Sequence, residues 1–92
     1  MSKYLVEVPH DGDKIECLRS VEIFLKTGNH FLKNADWGCL DGVHKAWFFA
    51  DADSKEEVLS IVPPAYRKDA KISLLNKFRL EDVEELLKHH HA

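Results

Sequence analysis

Apolar and polar positions alternate from the start of the chain. Lys3 to Val8 (KYLVEV) is rich in β-forming residues and stops at Pro9, which predicts a first strand. Asp13 then offers a helix N-cap with Glu16 three residues on, a variant of the capping box. Cys17, Leu18, Val21, Phe24 and Leu25 follow at helical spacing, and Gly28 is placed to close that helix. Ala35 to Leu40 and Val43 to Ala50 return to strand character. They flank Asp41-Gly42, a two-residue signal for a type I′ hairpin turn, in which both residues need positive φ. Ser54 to Glu57 (SKEE) is a capping box that starts a second helix, ended by Pro63-Pro64. Ala70 to Phe78 predicts a fourth strand. A last helix, about Leu80 to Lys88, carries Leu80, Val83, Leu86 and Leu87 on one side.

The order β-α-β-β-α-β plus a tail helix is the ferredoxin-like α+β arrangement. It implies a four-stranded antiparallel sheet in the order 4-1-3-2 with helices on one face. The 92 residues form one such domain, 1–92, with no repeat or low-complexity linker. Continuing the hairpin ladder from its turn pairs Leu40 with Val43, Cys39 with His44 and Trp37 with Ala46. Val6, Val8, Trp37, Cys39, Ala46 and Phe48 then make an apolar set suited to lie beneath the helices. The opposite set mixes Glu7, Asp36 and Lys45 with Leu5, Trp47 and Phe49. Large aromatics on a face that the helices leave open predict a cover, and a second copy of the chain is the expected one.

Composition narrows the partners. A hydrophobic fraction of 45% with 32% charged residues is that of a folded globular chain. The net charge of −3 and the scattered lysines argue against a nucleic-acid grip, which needs a basic stripe. No apolar run approaches the roughly 20 residues of a membrane span. Glu7 interrupts the apolar stretch that a secretory leader would need, so the expected location is the cytoplasm, with Cys17 and Cys39 reduced.

Phe49 to Phe78 (FADADSKEEVLSIVPPAYRKDAKISLLNKF) resembles the second half of the muconolactone isomerase-like families, among the ferredoxin-like dimeric α/β-barrels. Both have a strand, an acidic turn, a short helix, a Pro-aromatic segment and a final strand. The resemblance implies a homodimer with two sheets face to face around a pocket, commonly without a cofactor. It does not carry over the isomerase activity, because the first helix and the histidine-rich tail depart from the isomerases. On this reading the protein binds a small aromatic or carboxylate compound, or is a cofactor-independent enzyme. Glu7, Asp36, Lys45 and Trp47 would line the pocket, with Glu7 taking a proton and Lys45 holding an anion. Tyr66 and Arg67 would stand at its rim. The plainer account of Glu7 and Lys45 is an ion pair on the covered face.

One corner offers different chemistry. The first strand runs antiparallel beside the third, so His10 approaches the start of that strand, near His44 and its partner Cys39. Cys17, in the first turns of the helix, lies at the same end. Two thiolates and two imidazoles are the ligand set of a tetrahedral zinc site, so zinc or another transition metal held by His10, Cys17, Cys39 and His44 is the alternative function. The spacing matches no zinc-finger pattern, and buried cysteines beside a turn histidine are the plainer account. A redox cysteine pair, or a nucleophilic Cys39 whose pKa His44 lowers, and an interaction module without ligand are the remaining readings. His89-His90-His91 binds metal by itself and is set aside, and His30 reads as a loop residue.

Overall fold

The computed structural model describes residues 1–90. It contains β1 (Ser2–Pro9), α1 (Lys14–Lys26), α2 (His30–Lys33), β2 (Asp36–Trp37), β3 (Lys45–Ala52), α3 (Lys55–Ile61), β4 (Lys71–Leu75) and α4 (Leu80–His90). Two 3₁₀ segments, Cys39–Asp41 and Pro64–Asp69, join β2 to β3 and α3 to β4. The sheet order is β2-β3-β1-β4, which counted from its other edge is 4-1-3-2, and every pairing is antiparallel. His91, the last residue of the histidine tail, and Ala92 lie outside the described residues. None of the described helices is long and apolar enough to cross a membrane.

The centre is the β1–β3 ladder, running from Ser2 opposite Ala52 to Pro9 opposite Lys45. Side chains alternate across a strand, so this register sends Tyr4, Val6, Val8, Ala46, Phe48, Ala50 and Ala52 to one face. All seven are buried there with Phe24 of α1, Leu32 of α2 and Val58 of α3. Trp37 packs its ring edge-on to Phe24 at 4.9 Å, on the same side. The other face presents Leu5, Glu7, Lys45, Trp47 and Phe49, with Phe49 54% exposed.

Local chemistry fixes the helices. Asp13 caps α1 by accepting from Ile15 N and Glu16 N, at 3.2 and 3.3 Å. The Glu16 carboxylate pairs with Arg19 instead of closing the box. Ser54 caps α3 through Glu57 N, while the Glu57 side chain takes Asp53 N. The short helix α2 was not expected. It exists because Asn29 Oδ1 accepts from Phe31 N and Leu32 N, which puts His30 on its first, exposed turn.

The face of α1 differs from the expected one. Leu18 and Leu25 are exposed, whereas Cys17, Ser20, Val21 and Phe24 face inward. Ser20 is tolerated in the core because its hydroxyl donates to Glu16 O and is hydrogen-bonded to the Tyr66 hydroxyl, which satisfies its oxygen.

The hairpin differs as well. Asp41 does not take a positive φ; only Gly42 does, at 77°, so the turn is not type I′. The chain leaves the ladder at Gly38, whose carbonyl accepts from both Asp41 N and Val43 N. That 3₁₀ turn shortens β2 from the expected 35–40 to two residues and delays β3 until Lys45. Trp37 still opposes Ala46 as expected, but Cys39 and His44 are no longer a ladder pair. β3 continues to Ala52 because Ser2 supplies its partner. β4 ends at Leu75 instead of Phe78 because its ladder on β1 ends at Lys3.

Gly38 can make this turn only without a side chain. A Cβ there would lie 2.7 Å from Val43 O and 2.9 Å from Trp47 Cζ3. Gly38→Ala is expected to cost about 1–3 kcal/mol in urea unfolding, the range of an overpacked interior site. An unchanged midpoint would show that the turn relaxes freely.

Candidate metal centre

Four chain segments end at one corner of the sheet. β1 delivers His10, whose backbone N donates to His44 O at 3.1 Å and prolongs the central ladder past Pro9. This one bond sets the two histidines side by side, their rings 5.7 Å apart and nearly perpendicular. The capped first turn of α1 delivers Cys17, whose N donates to Asp13 O at 2.8 Å. The 3₁₀ turn begins at Cys39. Its departure from the β ladder swings that residue toward β1 and α1 while His44 leads into β3.

The resulting cluster is tight. Cys17 Sγ–H donates to Cys39 Sγ at 3.0 Å, and His10 Nε2 stands 3.1 Å from the same sulfur. One ligand atom from each of His10, Cys17, Cys39 and His44 lies within 4.8 Å of the other three. Around a tetrahedral zinc ion, with bonds of about 2.3 Å to sulfur and 2.0–2.1 Å to nitrogen, ligand atoms stand roughly 3.3–3.8 Å apart. Changes of up to about 1–1.5 Å in these separations therefore lie between the present arrangement and coordination. Both cysteines are free thiols.

Burial tunes these groups toward their neutral forms. Burial, and then the neighbouring His44, lower the His10 pKa; the backbone at Val8 and the Asp11 carboxylate oppose that shift. Burial first, and the Cys17 thiol next to it, push Cys39 up to about 11. A catalytic thiol needs the opposite shift, and the imidazole nearest Cys39 is His10 instead of the expected His44. The nucleophile reading gains no support from this geometry, and a metal would have to displace the same proton to bind the thiolate. In addition, Nδ1 of His10 and Nδ1 of His44 are buried without a hydrogen-bond partner. Orphaned ring nitrogens are rare in a packed interior, and His10 turns its other nitrogen, Nε2, toward the cysteines.

Two glycines make the corner possible. Gly38 allows the turn, and a Cβ on Gly12 would press on His44 Cδ2 at 3.1 Å. The sequence reading passed over both; the available signal was a glycine two residues after His10 and another directly before Cys39. An open cleft of about 290 Å³ lies alongside, bordered by Lys14, Leu18 and Leu40 as well as Cys17, Cys39 and His44.

The second candidate group is only partly assembled. Trp47 Nε1 donates to Glu7 Oε1 at 3.2 Å, and Lys45 Nζ lies 3.8 Å from the same oxygen. Asp36 stands opposite Trp47 on β2. Tyr66 and Arg67 are not brought to this group. Tyr66 lies among the helices, its ring 6.1 Å from Phe24. Arg67 donates to Val62 O and Ser60 O and so clamps the end of α3. The proline-rich segment turns them toward the core side of the sheet instead of the open face.

No family model, curated protein or solved structure matches the chain.

In metal-free protein, the Cys39 thiol should react slowly at pH 8. A pKa near 11 leaves on the order of one thousandth of it as thiolate at that pH, and the rate should climb as pH rises through 9 to 11. Alkylation of the parent protein in chelator, with the Cys39 peptide followed by mass spectrometry, measures it. A rate equal to that of an exposed cysteine would overturn the buried-thiol description.

Proposed function

We propose that this protein binds one transition-metal ion, zinc by preference, through His10, Cys17, Cys39 and His44. The observation that carries this reading is the convergence of two thiols and two imidazoles from four separate segments within 4.8 Å. Thiolate and imidazole together suit zinc, and four protein ligands leave no open position for substrate or water. The metal's work is accordingly structural. It ties the end of β1, the start of α1, the 3₁₀ turn and the lead into β3 to a single point. A chain of 92 residues buries a limited core, and such a staple is a common remedy for that deficit.

The open-face group supports a small-molecule pocket less strongly. Its one carboxylate with close partners, Glu7, is already engaged by Trp47 and Lys45 on the same chain. That is the arrangement of an ion pair within a covered face. Lys45 and Glu7 retain appreciable exposure, so the pair itself contributes little to stability.

The test uses full-length protein in which His89, His90 and His91 are replaced by alanine and no metal column is used. Zinc content by elemental mass spectrometry should be one per chain, and it should fall to near zero in Cys39→Ser. Metal held by the folded state alone stabilises it by about 2.7 kcal/mol at a hundredfold excess over Kd. Chelator should therefore lower the melting temperature of the parent and leave that of Cys39→Ser unchanged. Metal-free protein whose melting temperature ignores both zinc and chelator would refute the proposal.

A further inference from the structure

Helix α4 and the open sheet face are two apolar surfaces that the fold leaves uncovered. α4 contains no buried residue, and Leu80 and Leu86 are 71% and 66% exposed. It lengthens the molecule to 57 Å, about twice the next dimension. An isolated helix of eleven residues is marginal in water, and helices of this length persist by packing an amphipathic face. The stripe of α4 is therefore built to be covered. Its polar side is acidic, with Glu81, Asp82, Glu84 and Glu85.

The surface that fits it is on the same chain. Leu5, Trp47, Phe49 and Leu75 form an apolar band on the face opposite the helices, following the pairing of β1 with β3 and β4. Lys3 and Lys71 stand on this face, and Lys3, Leu75 and Lys77 line an open hollow of about 380 Å³ where β4 ends. Glu7, Asp36 and Asp51 also stand on this face, so the charge match with an acidic amphipathic helix is local to its β4 side, where Lys3, Lys71 and Lys77 gather beside Leu5 and Leu75.

We infer that α4 packs on the open sheet face of a second copy of this chain, and that the second copy returns its own α4 in exchange. Both complementary surfaces belong to one sequence, and reciprocal exchange closes them as a two-fold dimer with no surface left over. A different protein would need to match only one of them, leaving the other exposed. The arrangement differs from a barrel made by two sheets face to face, because helices and not strands cover each sheet.

Light scattering on three full-length proteins decides the matter: the parent, Phe49→Glu on the sheet and Leu87→Glu on α4. The expected result is twice the chain mass for the parent and a single chain mass for both variants. Circular dichroism and a cooperative melt should confirm that each variant still folds. Mixing the two variants should restore a dimer, because one intact helix then meets one intact sheet. A monomeric parent would overturn the inference and indicate that α4 folds onto its own sheet. A dimer that survives Leu87→Glu would overturn it in favour of sheet-to-sheet pairing. A dimer that survives Phe49→Glu would overturn it in favour of contact between helices.

Discussion

The antiparallel pairing of β1 with β3 is the contact on which the other features depend. Its register puts Tyr4, Val6 and Val8 with Ala46, Phe48, Ala50 and Ala52 on one side and leaves Leu5, Glu7, Trp47 and Phe49 on the other. A slip of one residue would invert both faces, exposing the core and burying Glu7 and Lys45. The same ladder, carried one bond further by His10 N and His44 O, places the two histidines together. Core, open face and the pairing of the two histidines are consequences of a single alignment.

The corner also shows how local backbone chemistry decides side-chain chemistry. A regular two-residue hairpin would have set Cys39 across from His44 in a ladder. The turn that forms bends away at Gly38, because its carbonyl gathers two amides and its missing side chain permits the approach of Trp47. Cys39 thereby meets His10 and Cys17. Four donors then crowd together with two ring nitrogens unpartnered. The four residues are half-buried, and unsatisfied polar atoms shielded from water are costly unless something binds them. Under the proposed function, a bound metal ion would turn that crowding into a cross-link between elements far apart in sequence.

Much of this was legible in the sequence, and the exceptions have identifiable causes. Alternation in KYLVEV and VHKAWFFA located the central strands, though the second begins and ends two residues later than expected, and Asp13 and Ser54 announced two helix starts through the capping bonds they form. The four metal-corner residues followed from topology plus the positions of two cysteines. The face of α1 did not, because Leu18 and Leu25 outweigh Ser20 on any hydrophobic scale. Only the Tyr66 hydroxyl, 46 residues away, makes a serine the better core residue. Asp-Gly suggested a tight hairpin, and nothing local revealed that Gly38 would leave the sheet first. Tyr66 and Arg67 were placed at a pocket by resemblance alone. Their actual partners, Ser20 and the carbonyls that end α3, are contacts that spacing cannot show.

A bound ion is the claim on which the functional account stands, and its coordination sphere can be measured directly. X-ray absorption at the zinc edge, on protein with the tail histidines replaced, reports ligand type and distance together. The account predicts two sulfur scatterers at about 2.3 Å and two imidazole nitrogens at about 2.0–2.1 Å. A sphere of nitrogen and oxygen without sulfur would contradict it, since no zinc ion held by Cys17 and Cys39 can present one.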